Sequence, residues 1–121
     1  MWPEVSKRFP AKGEQPSVPD LVKRFLHVQT VETLRCMEEN VVTAADDADI
    51  GSIFGWGFAP WTGGVISYAN DLGLPTFLKD CEELAAVHGA RFEPPQILKD
   101  MVAKGETFYP DPAAAMKVAA E

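Results

Sequence analysis

Few residues in this sequence have the types and spacing that chemistry asks for, and the first to weigh is Glu32. At 100° per residue along a helix it falls between Leu21 and Phe25 on an apolar stripe, with Gln29 nearby. A carboxylate buried there needs donors, and the free backbone N–H groups of a glycine-rich stretch downstream are the expected source. A general base would also need a pocket and a substrate, so a structural role is preferred for Glu32. His27 falls on the polar side of the same helix, and His88 stands just before Gly89, where an imidazole suits the negative end of a helix. Neither has a His or Cys partner at metal spacing. Cys36 and Cys81 fall on apolar faces, which favours inert burial over a reactive thiolate. Asp46, Asp47 and Asp49 lack the glycine and closing glutamate of a calcium loop and read as a solvated, acid-rich helix start. The sequence therefore assigns no catalytic residue, no cofactor-binding residue and no metal ligand.

Gly55-Trp56-Gly57 imitates the start of a dinucleotide fingerprint, but Pro60 stands where the third glycine belongs and no strand precedes it. A phosphate-cradling loop of the Walker type would need Lys-Ser or Lys-Thr, and neither pair occurs. The glycines are instead expected to let chain segments approach closely, Gly63 and Gly64 above all, while Trp56, Phe58, Trp61 and Tyr68 fill gaps or form an apolar patch.

The elements that must position these residues read as helices. Ser17-Val18-Pro19-Asp20 supplies a cap hydroxyl, an early proline and a carboxylate three residues on, the start of a helix running to about Asn40. Leu21, Val22, Phe25, Leu26, Cys36 and Met37 form its wide apolar face, which Val28, Val31 and Leu34 extend around the cylinder, so it should be central and largely buried. Thr43 and Asp46 repeat the cap arrangement for a second helix ending near Phe54. From Gly51 to Gly64, glycines alternate with aromatics around Pro60, which predicts a glycine-rich aromatic loop. A short helix over 64–70, one from Pro75 to Gly89 and one between Pro95 and Gly105 follow, and no segment reads as a strand. Residues 1–16 form an extended lead-in packing through Trp2 and Phe9, with room for one short helical turn, 17–110 the helical domain, and 111–121 an Ala-rich tail.

Composition bounds the function. The 121 residues suit one domain, and 46% hydrophobic with 10% aromatic residues suffices for a core without staples. Eleven Lys and Arg against eighteen Asp and Glu give a net charge of −7, which argues against nucleic acid as a partner. Two distant cysteines with no CxxC pair fit a reducing setting. No apolar run approaches the roughly 18 residues of a membrane span, and nothing resembles a secretory leader, so a cytoplasmic location is expected.

Three motifs in order carry a resemblance: Glu32-Thr33-Leu34-Arg35-Cys36-Met37-Glu38-Glu39, then Ala48-Asp49-Ile50-Gly51-Ser52-Ile53-Phe54-Gly55-Trp56-Gly57-Phe58-Ala59-Pro60-Trp61-Thr62-Gly63-Gly64, then Arg91-Phe92-Glu93-Pro94-Pro95 with Lys104-Gly105-Glu106-Thr107-Phe108-Tyr109. Together they resemble the C-terminal helical domain of 3-hydroxyacyl-CoA dehydrogenase. More narrowly they resemble its second, degenerate copy at the end of the multifunctional fatty-acid oxidation alpha subunit. The resemblance, covering about Phe9 to Tyr109, implies a compact all-α bundle of five to six helices, like the C-terminal domain of 6-phosphogluconate dehydrogenase. It implies a setting in fatty-acid beta-oxidation, where the parent enzyme uses NAD to oxidise 3-hydroxyacyl-CoA to 3-oxoacyl-CoA. The family's nucleotide-binding fingerprint and catalytic histidine and glutamate belong to a preceding domain, and no position of this sequence matches them. What remains is a structural role: pairing with a sister helical domain, or with a second copy of itself, beside the parent NAD-binding domain. The pairing residues so implied are Glu32, Gly55, Trp56, Gly57, Phe58, Trp61, Gly63, Gly64 and Tyr68. A free-standing acyl-CoA binding module is the alternative; its phosphate contacts would fall to Lys7, Arg8, Lys12, Lys23 and Arg24, which are scattered.

Overall fold

A computed structural model describes residues 2–10 and 12–110; the expected tail at 111–121 lies outside the described residues. Among the described residues six α-helices follow one another: α1 Pro3–Arg8, α2 Val18–Glu38, α3 Ala45–Trp56, α4 Val65–Leu72, α5 Leu74–His88 and α6 Gln96–Lys104. Single 3-10 turns at Pro60–Thr62 and Ala90–Phe92 join α3 to α4 and α5 to α6, and no strand occurs among the described residues.

The long helix starts as its cap residues dictate. Ser17 Oγ accepts from the Asp20 amide and donates to the Asp20 carboxylate at 2.6 Å, satisfying an amide that the first helical turn leaves free. α2 then packs against α4, α5, α6 and the Ala90–Phe92 turn, so it is the axis of the bundle. Val31 and Leu34 of α2, Phe58, Val65, Ile66 and Ala69 around α4, Leu74, Phe77 and Cys81 of α5, and Leu98 of α6 make one dry core. Burial pushes the Cys81 thiol up to about 12, the mark of an inert core cysteine.

Polar side chains of α2 clamp the periphery. Arg35 donates to the carbonyls of Ala90 and Glu93 at 2.9 and 3.1 Å, and Glu38 accepts from the Ile97 amide at 2.9 Å, closing the start of α6.

Four expectations are corrected. α3 begins after Ala44, which makes no side-chain cap, so Thr43 and Asp46 do not form the capping box. It runs past the expected end near Phe54, through Gly55 to Trp56, and so takes in the first residues of the expected loop. Gly57 stops it at φ +77°, its amide reaching the Ile53 carbonyl while that of Phe58 reaches Ser52. In the lead-in, the short helical turn allowed for there is α1, but it buries no residue, and Trp2 and Phe9 are exposed rather than packed. Finally, α2 buries Val31 and Leu34 together with His27 and Thr30, and Leu26 and Met37 pack against the core, but Leu21, Val22 and Phe25 of its wide apolar face are exposed.

Candidate functional site

α3 lies between two surfaces of opposite character. Its inner side carries the short residues Ala48, Asp49 and Ser52, all buried against α4. Asp49 Oδ1 accepts from the amides of Ile66 and Ser67 at 2.6 and 3.1 Å; Oδ2 accepts from Ser67 Oγ at 2.6 Å and from the Tyr109 hydroxyl at 2.8 Å. The carboxylate thus caps α4 across space, where the free amides and the positive helix end both favour an anion. Ser52 Oγ donates to the Asp49 carbonyl and accepts from the Val65 amide, and Thr30 of α2 donates to the Val65 carbonyl at 3.1 Å. Burial and the bond to Asp49 hold the Tyr109 phenol protonated well above its usual range.

This contact explains Gly64. A Cβ there would lie 2.6 Å from Asp49 Cα, and the backbone stands at φ +125°, outside the range that side chains tolerate. At Gly63 a Cβ would meet Ser67 Cβ at 3.0 Å.

The outer side of α3 opens with the exposed Asp46 and Asp47 and is apolar beyond them. Phe54 is 86% exposed and Ile50 is exposed too, while Trp61, on the following 3-10 turn, is 84% exposed. Between α3 and α2 the Trp56 indole N–H donates to Gln29 Oε1 at 2.9 Å, and this bridge separates two apolar grooves. One, of about 640 Å³, is lined by Leu21, Val22, Phe25, Leu26, Phe58 and Trp61 with the bridge at its end. The other, of about 730 Å³, runs over Val28, Thr33, Cys36, Val42, Gly51 and Gly55, with Glu32 and Asp47 on its rim. No group of three His, Cys, Asp or Glu among the described residues could hold a metal ion. In the second groove Thr33 Oγ1 donates to the Gln29 carbonyl and Glu32 pairs with Arg35, and the mostly apolar lining of both grooves is suited to receiving an apolar surface.

The residues singled out from the sequence divide accordingly. Trp56, Trp61 and Gly55 lie on the outer face, where a Cβ at Gly55 would meet nothing within 4 Å. Phe58 is 2% exposed and belongs to the core, with Tyr68 edge-on to it at 6.3 Å; neither is a surface aromatic. Gly57 ends α3, Gly64 lies buried against α3, and Gly63, itself exposed, abuts Ser67 of α4. Glu32 is the main correction: its side chain is 67% exposed and pairs with Arg35 at 3.0 Å, one turn on. The buried carboxylate at the glycine-rich segment is Asp49, on the next helix, and not a solvated helix start. His27 is also corrected, being 1% exposed and stacked on Phe77 at 4.7 Å instead of lying on a polar side. The signal for Asp49 is its spacing from Ser52: the two polar side chains share a stripe with Ala45 and Ala48, all short enough for close packing.

No helix among the described residues is long and apolar enough to cross a membrane. No known family profile matches the chain. It is similar to part of the fatty acid oxidation complex subunit alpha of several bacteria. Identity is 45% over 78 residues with that of Psychrobacter cryohalolentis, covering 64% of this chain and 11% of the relative. With the subunit of a second Psychrobacter species it is 40% over 90 residues, 74% of this chain and 12% of the relative. With that of Shewanella amazonensis it is 37% over 100 residues, 83% of this chain and 14% of the relative. The likeness therefore takes in most of this chain and only a short stretch, between 11% and 14%, of each of these longer subunits.

Proposed function

We propose that this chain is a noncatalytic pairing domain in fatty-acid beta-oxidation, the second, degenerate helical domain of a 3-hydroxyacyl-CoA dehydrogenase. In this reading the NAD-dependent oxidation of 3-hydroxyacyl-CoA, the NAD itself and the catalytic residues belong to other parts of the parent enzyme. The helical domain buttresses the acyl-CoA cleft by packing against a sister copy, or against itself when alone. The similarity to fatty acid oxidation alpha subunits supports the setting.

The observation that carries the pairing role is the inverted polarity of α3, which buries Asp49 and Ser52 and presents Ile50 and Phe54 to water. Phe25, Phe54, Trp56 and Trp61 leave roughly 600 Å² of aromatic surface uncovered, taking about 150–250 Å² for each ring-bearing side chain. Adding Leu21, Val22 and Ile50 brings the face to about the 800 Å² that each partner contributes to an ordinary stable interface. Two equal patches can meet across a twofold axis, so the isolated chain is expected to dimerise.

Sedimentation at micromolar concentration tests this: a concentration-dependent dimer is expected, and a single monomeric species throughout would overturn self-pairing. The noncatalytic part is tested with 3-hydroxybutyryl-CoA and NAD. No reduction of NAD is expected from the purified chain, and turnover that scales with protein and survives repurification would refute it.

A further inference from the structure

On the side of α2 away from the grooves, His27 occupies a closed slot. Phe77 of α5 stacks on its ring at 4.7 Å and Tyr68 of α4 meets it edge-on at 5.5 Å. Its Nδ1 lies 2.8 Å from the carbonyl oxygen of Lys23, which can only accept, so the neutral ring carries its proton on Nδ1. The Tyr68 hydroxyl oxygen stands 3.1 Å from the same nitrogen. Nε2 is then left with a bare lone pair, buried and without a hydrogen-bond partner. Its nearest polar neighbour is another acceptor, Asp80 Oδ2 at 3.5 Å, whose sister oxygen is held by Lys23 Nζ at 2.5 Å.

The titratable groups facing the ring are few. Lys23 comes from α2 itself, Tyr68 from α4, and Asp80 and Cys81 from α5. Burial pushes both Tyr68 and Cys81 up to about 12, so neither changes charge near neutrality. The local field is therefore set by the Lys23–Asp80 pair, which is partly open to solvent.

We propose that His27 is a proton-linked latch between α2 and α5: neutral, it leaves Asp80 to Lys23, and on taking a solvent proton at Nε2 it donates to Asp80 and draws that carboxylate from Lys23. Both nitrogens of the cation would then face acceptors already in place, the Lys23 carbonyl and Asp80. The charge would nonetheless sit among aromatic rings in a dry core.

Burial lowers the pKa of His27 below its ordinary 6.5, outweighing the Lys23 carbonyl and Asp80, which favour the cation. The unfolded chain accordingly binds the proton more readily than the fold does. Stability contributed by the neutral ring is complete above 6.5 and is lost as pH falls from there through the folded value. This linkage goes beyond the pairing role and does not depend on it.

The test uses the whole chain. The His27 Cε1 proton is followed by NMR, and the urea unfolding midpoint is read from about pH 8 to about pH 5. His27 is expected to titrate below 6.5. Lys23→Met should move that titration up, by freeing Asp80 and removing a cation, and Asp80→Asn should move it down. The wild-type midpoint should fall over this range more steeply than that of His27→Gln. Titration of His27 at or above 6.5, indifference to both Lys23→Met and Asp80→Asn, or parallel loss of stability in wild type and His27→Gln would each overturn the latch. The two surface variants keep the test decisive if His27→Gln does not fold.

Discussion

The two sides of α2 carry comparable amounts of apolar side chain and meet opposite fates. Val31 and Leu34 vanish into the core together with His27 and Thr30, while Leu21, Val22 and Phe25 on the other side face open grooves. α3 repeats the contrast in sharper form, since its buried side holds a carboxylate and a hydroxyl and its open side holds Ile50 and Phe54. The difference teaches that hydrophobicity alone did not choose the inside. The inner faces are those that satisfy polar groups: Asp49 caps α4, Ser52 and Thr30 satisfy the two backbone groups of Val65, and the aliphatic residues fill the space left over. Between the outer faces of α2 and α3 the described residues make one side-chain hydrogen bond, Trp56 to Gln29.

The contrast breaks most sharply at Gly64. Gly64→Leu must displace the backbone of Asp49 and also adopt φ +125°, so it should cost at least about 3 kcal/mol, in the class of severe packing and strain defects. A melting temperature within a degree or two of wild type would show that α3 and α4 can part freely. Asp49→Asn comes next. It keeps the shape but puts an amide group where an anion accepts from Ser67 Oγ and Tyr109, and a loss of about 1.5–3 kcal/mol is expected in urea unfolding. If Tyr109→Phe is combined with it, the two losses should not add, because both remove the same bond.

On the outer side the same experiments should give the reverse pattern. Phe54→Ser and Trp61→Ser should each change the stability of the monomer by less than about 0.5 kcal/mol, as surface substitutions do, yet abolish self-association in sedimentation. A large fall in monomer stability would mean the face is packed within the chain after all. Gly51→Ala sharpens the comparison further. With nothing within 4 Å of the added methyl it should stabilise the helix by up to about 1 kcal/mol, while filling the groove that a partner would use. The smallest effect belongs to Glu32→Ala, whose exposed pair with Arg35 is worth at most about 0.5 kcal/mol. A cost of several times that would restore Glu32 as a buried acceptor.

Much of the helical framework is legible in the sequence because its signals are local. Ser17 and Asp20 start α2 through a contact three residues long, and Gly57, Gly73, Gly89 and Gly105 punctuate the later helices. The candidate face is half legible. Trp56 and Trp61 stand out as aromatics too numerous for a small core, but nothing in their spacing separates them from Phe58 and Tyr68, which turn inward. Glu32 is misplaced by a helical wheel, which reports which residues share a side and not which side faces the core.

The sequence by itself determined an all-helical chain, its main helix starts and stops, the closeness required at Gly63 and Gly64, and the absence of a dinucleotide or phosphate-loop motif. These follow from backbone chemistry within a few residues. Only the tertiary structure decided that Asp49 and not Glu32 is the buried carboxylate, that His27 lies in the core beside Asp80, and that the apolar side of α3 is left uncovered. Each of those depends on which groups from distant helices meet. Asp49 reaches donors seventeen to sixty residues away in the chain, and a periodicity count along one helix holds no information about them.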